Sequence, residues 1–302
     1  MRFAIPLFVV LFLLAAIALS TGDEPPRLAP PHALGAPAPD LGGAAVQTPQ
    51  QGVPVALDPP PSPAPAVPPF AAAPAGQRPY VPILMYHYVR SVDAAADPLG
   101  YGLSVTPAQF AAQLDWLRRS GYDTVQMSAL AACIRGESPC PARAVALTFD
   151  DGYMDAYTDA LPLLQQYGDT ATFYIVSGFV GHDAYMGWDE IRALRDAGME
   201  IGAHSISHID LTTLSYYENV DQIARSGSEI AAEIGAPVRS FCYPAGQFNA
   251  DIAKITSDAG YTSATTTIQE GPQDDLFALP RIRVYGDMSQ DGFQATIAAY
   301  LP

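Results

Sequence analysis

Positive charge is scarce in this chain: 15 Lys and Arg stand against 31 Asp and Glu, a formal net charge of −16, with a sequence pI near 4.4. Such a surface repels polyphosphates, which excludes nucleic acid and anionic lipid as partners of the folded part. A neutral or cationic polymer remains a compatible ligand. Cysteine is rarer still, with three in 302 residues. In an exported chain that number suggests one disulfide and one spare: Cys133 and Cys140 bracket a short polar loop, Arg135 to Pro139, and can pair at little entropic cost. Cys242 is then a buried thiol in a strand. In a less oxidising compartment none would pair. Aromatic residues are nearly missing from Asp23 to Pro79, which instead holds 17 of the 29 prolines. A segment with so little apolar surface cannot offset the entropy of ordering, so residues 23–79 are expected to form a disordered, extended linker.

Ahead of that linker, Met1-Arg2 is followed by an apolar run from Phe3 to Leu19, broken only by Pro6, and by a small-residue site at Ala18-Leu19-Ser20. Residues 1–22 therefore read as an export signal, either removed or kept as an inner-membrane tether. The expected location is periplasmic or otherwise extracytoplasmic. With 49% hydrophobic residues overall, the remaining chain, residues 80–302, can bury a sizeable core. It is read as one domain acting as a monomer.

Within that domain strands alternate with helices. V-P-I-L-M-Y-H-Y-V near Tyr80 predicts a strand ending near His87. Thr106-Pro107-Ala108-Gln109 supplies an N-cap, a first-turn proline and a capping-box Gln, with Phe110, Leu114 and Leu117 on the buried face. Further strands are expected at Asp123 to Met127, Val145 to Phe149, Thr170 to Val176, Glu200 to Ser205, Val238 to Tyr243, Tyr261 to Thr266 and Arg281 to Val284, with helices between most of them. This alternation implies βα units and a parallel sheet. Seven or so largely apolar strands predict an α/β fold with a distorted, partly open (β/α)7-type barrel, a doubly wound sheet being the competing arrangement.

Two stretches carry chemistry. In A-V-A-L-T-F-D-D-G-Y, Ala144 to Tyr153, an apolar strand ends in two adjacent carboxylates, Asp150 and Asp151, before Gly152. Like charges held close suit one carboxylate to bind a cation and the other to act as a base. In H-S-I-S-H, two imidazoles four residues apart, His204 and His208, can face one side of a helical turn or converge at a strand end, and two imidazoles with one carboxylate leave a coordination position free.

T-F-D-D-G-Y at Thr148 to Tyr153 and H-S-x-S-H at His204 to His208 resemble the first two motifs of the polysaccharide deacetylase family, the NodB-homology or carbohydrate esterase family 4 domain. R-S-F-C-Y-P-A-G, Arg239 to Gly246, resembles the third. The resemblance implies metal-dependent removal of acetyl groups from a glycan, with Asp151, His204 and His208 as ligands of a divalent ion, zinc first and Co²⁺, Ni²⁺ or Fe²⁺ as substitutes. It makes Asp150 the base acting on the metal-bound water, and the backbone at Ala245 the oxyanion donor within a wall of Tyr243, Pro244 and Gly246. Two family features are missing. No histidine follows His208, so the C-terminal histidine motif is absent; His87, in L-M-Y-H-Y-V, resembles the acid of a permuted branch acting on poly-β-1,6-N-acetylglucosamine. The motif that orients the base is also absent, and Arg239, Arg281 or Arg283 is expected to take its place. Trp188 reads as core or as a sugar-stacking platform, and His182 as solvated. The expected substrate is an N-acetylglucosamine polymer, poly-β-1,6-linked, chitin-like or from peptidoglycan. An O-acetyl esterase on xylan or another glycan, or a non-catalytic glycan-binding domain, are the alternatives.

Overall fold

The computed structural model describes residues 80–300; the expected signal or anchor and the proline-rich linker, with His32, lie outside the described residues. Among the described residues ten strands form: β1 (Ile83–Tyr86), β2 (Tyr88–Val89), β3 (Ser104–Val105), β4 (Asp123–Val125), β5 (Ala144–Phe149), β6 (Thr172–Ile175), β7 (Glu200–Ala203), β8 (Ser240–Cys242), β9 (Ser263–Thr265) and β10 (Ile282–Arg283). The main sheet is parallel in the order β10-β1-β5-β6-β7-β8-β9, while β2 and β3 pair separately. One edge of β5 carries β1; on the other, Ala144 to Ala146 pair with β4, and Thr148 and Phe149 with β6. Beyond β9 the ladder continues, because Thr266 N–H donates to Leu279 O (3.0 Å) and Leu279 N–H to Ala264 O (3.1 Å), in the segment that leads into β10. β10 returns to β1, with Leu84 opposite Ile282. The sheet is thus curled as the sequence predicts.

Alternate strand residues serve two cores, as the pleat requires. Leu84, Tyr86, Val145, Leu147, Phe149, Phe173, Ile175 and Phe241 pack outward on the surrounding helices. Ile83, Ala144, Ala146, Tyr174 and Cys242 face inward. The helix Pro107–Arg119 shows how an outer helix is built: Thr106 and Gln109 cap it reciprocally, Gln109 N–H donating to Thr106 Oγ1 (3.2 Å) and Thr106 N–H to Gln109 Oε1 (2.8 Å). Phe110, Leu114 and Leu117 are fully buried, worth about 1.5–3 kcal/mol each.

A different helix, Met127–Ile134, lies across the N-terminal end of the barrel and fills it with Met127, Leu130 and Ile134. Its N-cap, Gln126, makes no side-chain capping bond. Glu200, 72 residues on in sequence, supplies one instead: its Oε2 accepts from Ser128 N–H (2.8 Å) and Ser128 Oγ (3.0 Å), while Oε1 accepts from Ser240 Oγ (2.7 Å). This helix runs into the disulfide between Cys133 and Cys140, whose Cα atoms are 5.2 Å apart; Cys242 is free and buried.

Several elements were not anticipated, among them a short helix, Pro98–Leu103, and the strand β3 in a stretch that reads as a Gly/Pro-containing loop. Another, the helix Gln290–Ala298, capped by Ser289 Oγ on Gly292 N–H (3.1 Å), buries Phe293 and Ile297 and sets Phe293 edge-on to Trp116. Among the described residues no helix is long and apolar enough to cross a membrane.

Candidate metal centre and active site

The chemistry-bearing residues gather where the parallel strands end. β5 stays in register with β1 for one residue beyond its end, Asp150 N–H donating to Tyr86 O (3.0 Å). The chain then turns sharply, with φ of +73° at Asp151 and +82° at Gly152. A left-handed Asp is unusual, and here it lets two adjacent carboxylates leave the strand toward one site.

His204 follows β7 and is 2% exposed. Its Nδ1 lies 2.7 Å from the Cys242 carbonyl oxygen. That oxygen can only accept, so Nδ1 carries the proton and Nε2 is left with a free lone pair. Nε2 of His204 is 3.5 Å, and Nε2 of His208 3.3 Å, from Asp151 Oδ1. One ligand-type atom from each of the three residues lies within 4.8 Å of the others. The loop between the histidines is held in shape: Ser205 and His208 take φ of +64° and +50°, Ser205 Oγ accepts from His208 N–H (3.0 Å), and Gln222 Oε1 accepts from the N–H groups of Ile206 and Ser207 (3.1 Å each). Burial and the neighbouring His204 push His208 down from its ordinary pKa, which Asp151 and Asp150 only partly oppose. A neutral imidazole is the form that ligates a metal. Two imidazoles and a carboxylate converging in this way fit a divalent ion.

Asp150 is buried, 4% exposed, and is gripped by Arg281. Nη1 donates to Oδ1 at 2.7 Å and Nη2 to Oδ2 at 2.8 Å, a planar fork on a carboxylate. The remaining donors of the guanidinium reach Thr266 O (2.9 Å), Thr148 Oγ1 (3.1 Å) and Cys242 Sγ (3.1 Å). Burial works against the charged carboxylate, but the Arg281 charge and its hydrogen bonds outweigh it and hold Asp150 well below the usual range. Arg281 is correspondingly raised, with burial opposing and Asp150 leading the causes that favour its charge.

His87 follows β1. Since Tyr86 pairs with Phe149, His87 stands level with Asp150 on the neighbouring strand. Burial lowers its pKa, the charges of Asp150 and Asp151 raise it in part, and Arg281 and Arg283 lower it. On the far side, Tyr243 is fully buried, its hydroxyl donating to Phe277 O (3.1 Å) and its ring stacked 4.8 Å from Phe248. Pro244, Ala245 and Gly246 form the tight turn after β8, with φ of +52° at Ala245 and +71° at Gly246. A Cβ on Gly246 would meet Thr267 N at 2.5 Å.

Arg239 corrects an expectation. It is exposed at the opposite end of β8, where its carbonyl accepts from Thr262 N–H (2.7 Å), so it does not reach Asp150. Arg283 is half-buried with its guanidinium 5.9 Å from the Tyr285 ring. Trp188 packs against the outer core and His182 is exposed. Sequence reasoning missed Cys242 as a neighbour of the site: its Sγ is 3.8 Å from Asp150 Oδ2. Period-two alternation through Ser240 and Cys242 was the available signal, since it points both into the barrel.

Fold and site together describe an α/β-barrel hydrolase. The pattern of the family described as Polysaccharide deacetylase matches residues 137–264. YxkH of Bacillus subtilis (strain 168), whose name places it among polysaccharide deacetylases, is 30% identical over 219 residues, 72% of this chain and 76% of its own length. The poly-β-1,6-N-acetyl-D-glucosamine N-deacetylase of Escherichia coli (strain K12) is 38% identical over 78 residues, 26% of this chain and only 12% of that protein. Among solved structures, the Streptococcus pyogenes deacetylase PplD in complex with acetate superposes with a TM-score of 0.68 at 24% identity, over 72% of this chain and 97% of that one. The chain belongs to the polysaccharide deacetylase family and is an enzyme of that class.

Proposed function

We propose that this enzyme removes N-acetyl groups from an N-acetylglucosamine-containing polysaccharide, with a divalent ion held by Asp151, His204 and His208. The observation that carries the reading is the convergence of these three ligand-type atoms beside a second carboxylate fixed by a bidentate arginine. Zinc suits two imidazoles and a carboxylate best, with Co²⁺, Ni²⁺ or Fe²⁺ as substitutes. When bound, such an ion supplies a Lewis acid that polarises the acetyl carbonyl and acidifies water.

The side chains divide the remaining work. Asp150 stays ionised and oriented by Arg281, so it is the acceptor for the proton of the attacking water. The Ala245 amide would face the developing oxyanion, within the wall of Tyr243, Pro244 and Gly246. His87 would protonate the departing amine. Burial lowers its pKa, and the charges of Asp150 and Asp151 beside it favour the protonated form that this role needs. The apolar run at Phe3 to Leu19 and the linker beyond it support an enzyme exported to act outside the cytoplasm.

Acetate release should be measured on β-1,6- and β-1,4-linked N-acetylglucosamine oligomers and on acetylated xylan. Turnover of the amide substrates, lost on chelation and restored by Zn²⁺, is expected. His87→Ala should depress amide turnover more than ester turnover, because an amine is the poorer leaving group. Full amide turnover in an Asp150→Asn variant would remove the proposed base.

A further inference from the structure

Beside the metal-ligand set stands a row of aromatic side chains that the chemistry above does not use. Tyr88, one residue past His87, stacks on Tyr153 with ring centroids 4.0 Å apart and planes 29° from parallel. Tyr153, two residues past Asp151, stacks in turn on Tyr185 at 4.8 Å and 25°. The row is closed at one end by the Arg90 guanidinium, 3.6 Å from the Tyr88 ring centroid, and at the other by Phe179, 5.0 Å from Tyr185. The loop carrying Tyr185 is tied directly to the turn that carries Asp151: Met186 N–H donates to Gly152 O (3.0 Å) and Met154 N–H to Ala184 O (2.8 Å), with Tyr153 and Tyr185 bridged antiparallel. Ala184 takes a φ of +70° to make that fit.

All three tyrosines are half-buried. Their ring faces are occupied by one another, so what they can offer a ligand is a row of hydroxyl edges. Tyr88 follows His87 directly and Tyr153 lies two residues beyond Asp151, so the row borders the metal-ligand set. Stacking alone would be served equally by phenylalanine. Hydroxyls set in a row at this place match a ligand that is itself a row of hydroxyl and acetamido groups.

We propose that Tyr88, Tyr153 and Tyr185 form a positioning wall that hydrogen-bonds the sugar units flanking the acetamido group under attack, and so selects a polymer over a lone acetyl group. This rests on the deacetylase reading of the site. The three residues are positioning residues and take no part in bond making or breaking.

The test uses the full chain with Tyr153→Phe, Tyr185→Phe and the double variant, which keep the rings and remove only oxygens. Two readouts are taken: binding of de-N-acetylated glucosamine tetramers, β-1,6- and β-1,4-linked, by calorimetry, and hydrolysis of 4-nitrophenyl acetate, which has no sugar to position. The expected result is a 5- to 50-fold weaker tetramer affinity with ester hydrolysis and melting temperature unchanged, a loss set by one or two hydrogen bonds. Unchanged affinity, or no tetramer binding by the wild-type chain, overturns the proposal. Loss of ester hydrolysis or of the folded state in parallel with affinity also overturns it, since the hydroxyls would then be structural. Failure of the deacetylase reading shows separately, as absence of metal-dependent acetate release by the wild type.

Discussion

Arg281→Met is the perturbation that most directly probes how the site is built. It deletes the fork on Asp150 and the bonds to Thr266 O, Thr148 Oγ1 and Cys242 Sγ, and leaves Asp150 buried with no partner charge. Removing one member of a buried pair costs about 3–5 kcal/mol, mostly through the stranded charge. For a domain of this size each kcal/mol corresponds to roughly 2–4 °C, so the melting temperature should fall by about 6–20 °C. The sign with pH follows from Asp150. In the wild type its pKa lies below the unfolded value, so ionised Asp150 contributes stability above the ordinary carboxylate range and loses it as pH falls below that range. Without Arg281, burial alone raises its pKa, and the unpaired carboxylate destabilises the fold more as pH rises through it. The penalty of Arg281→Met should therefore be largest near pH 7.5 and smaller at pH 5. Urea denaturation of chelated protein at both values measures this, together with Asp150→Asn and the double variant. The cycle should show a coupling of roughly 2–3 kcal/mol. A pH-independent penalty, or a coupling near zero, would refute the pairing as the source of stability.

Gly202→Ala is expected to destabilise by about 1–3 kcal/mol, because its Cβ would sit 2.5 Å from Tyr174 Cδ1 and 2.8 Å from Ser240 Oγ inside the filled barrel; a melt indistinguishable from wild type would show that the interior has room. Asp169 is raised to about 6, burial outweighing its bond from Thr124. A carboxyl raised in the folded state loses stability as pH climbs from about 4 to 6, so Asp169→Asn should stabilise at pH 7 and make little difference at pH 4, which paired thermal melts will show. Reducing the Cys133–Cys140 disulfide, whose partners are 7 residues apart, should cost about 2.5 kcal/mol on loop entropy; melts with and without a phosphine reductant, with a Cys133→Ser and Cys140→Ser double variant as control, measure it.

Much of this architecture was legible because its signals are local. The Thr106-Pro107-Gln109 box, the periodicity of Phe110, Leu114 and Leu117, and the apolar run ending in Asp150 and Asp151 each lie within one element. The strands are shorter than the apolar runs, as at Val238 to Tyr243 against Ser240–Cys242, because a curling sheet pairs only where staggered neighbours overlap. Arg239 and Arg281 could not be ranked from sequence, since which one meets Asp150 depends on how β10 registers on β1. Glu200 capping the helix Met127–Ile134 belongs to the same kind: a contact between distant segments leaves no local pattern. The helix Gln290–Ala298 did have a local signal, Ser289 before a Phe293 and Ile297 pair, but Gly292 weakens the helical reading of its first turn.

Backbone strain marks the same ground as the chemistry. Among the described residues five non-glycine positions have positive φ: Asp151, Ala184, Ser205, His208 and Ala245. Asp151 follows β5, Ala184 lies in the loop after β6, Ser205 and His208 follow β7, and Ala245 follows β8, so four successive strand ends each carry one or two. A residue in this region costs on the order of 1 kcal/mol or more, and it persists only where the surroundings over-determine it. Here the restraints are visible: Gln222 on the loop of His204 and His208, the ladder to Tyr86 before Asp151, and the bonds from Met154 and Met186 that bind the Ala184 loop to the Gly152 turn. A straight continuation of each strand would send successive side chains to opposite faces. Turning the chain left-handed at the strand end is what allows neighbours in sequence, one from the barrel interior and one from its rim, to point at a common center.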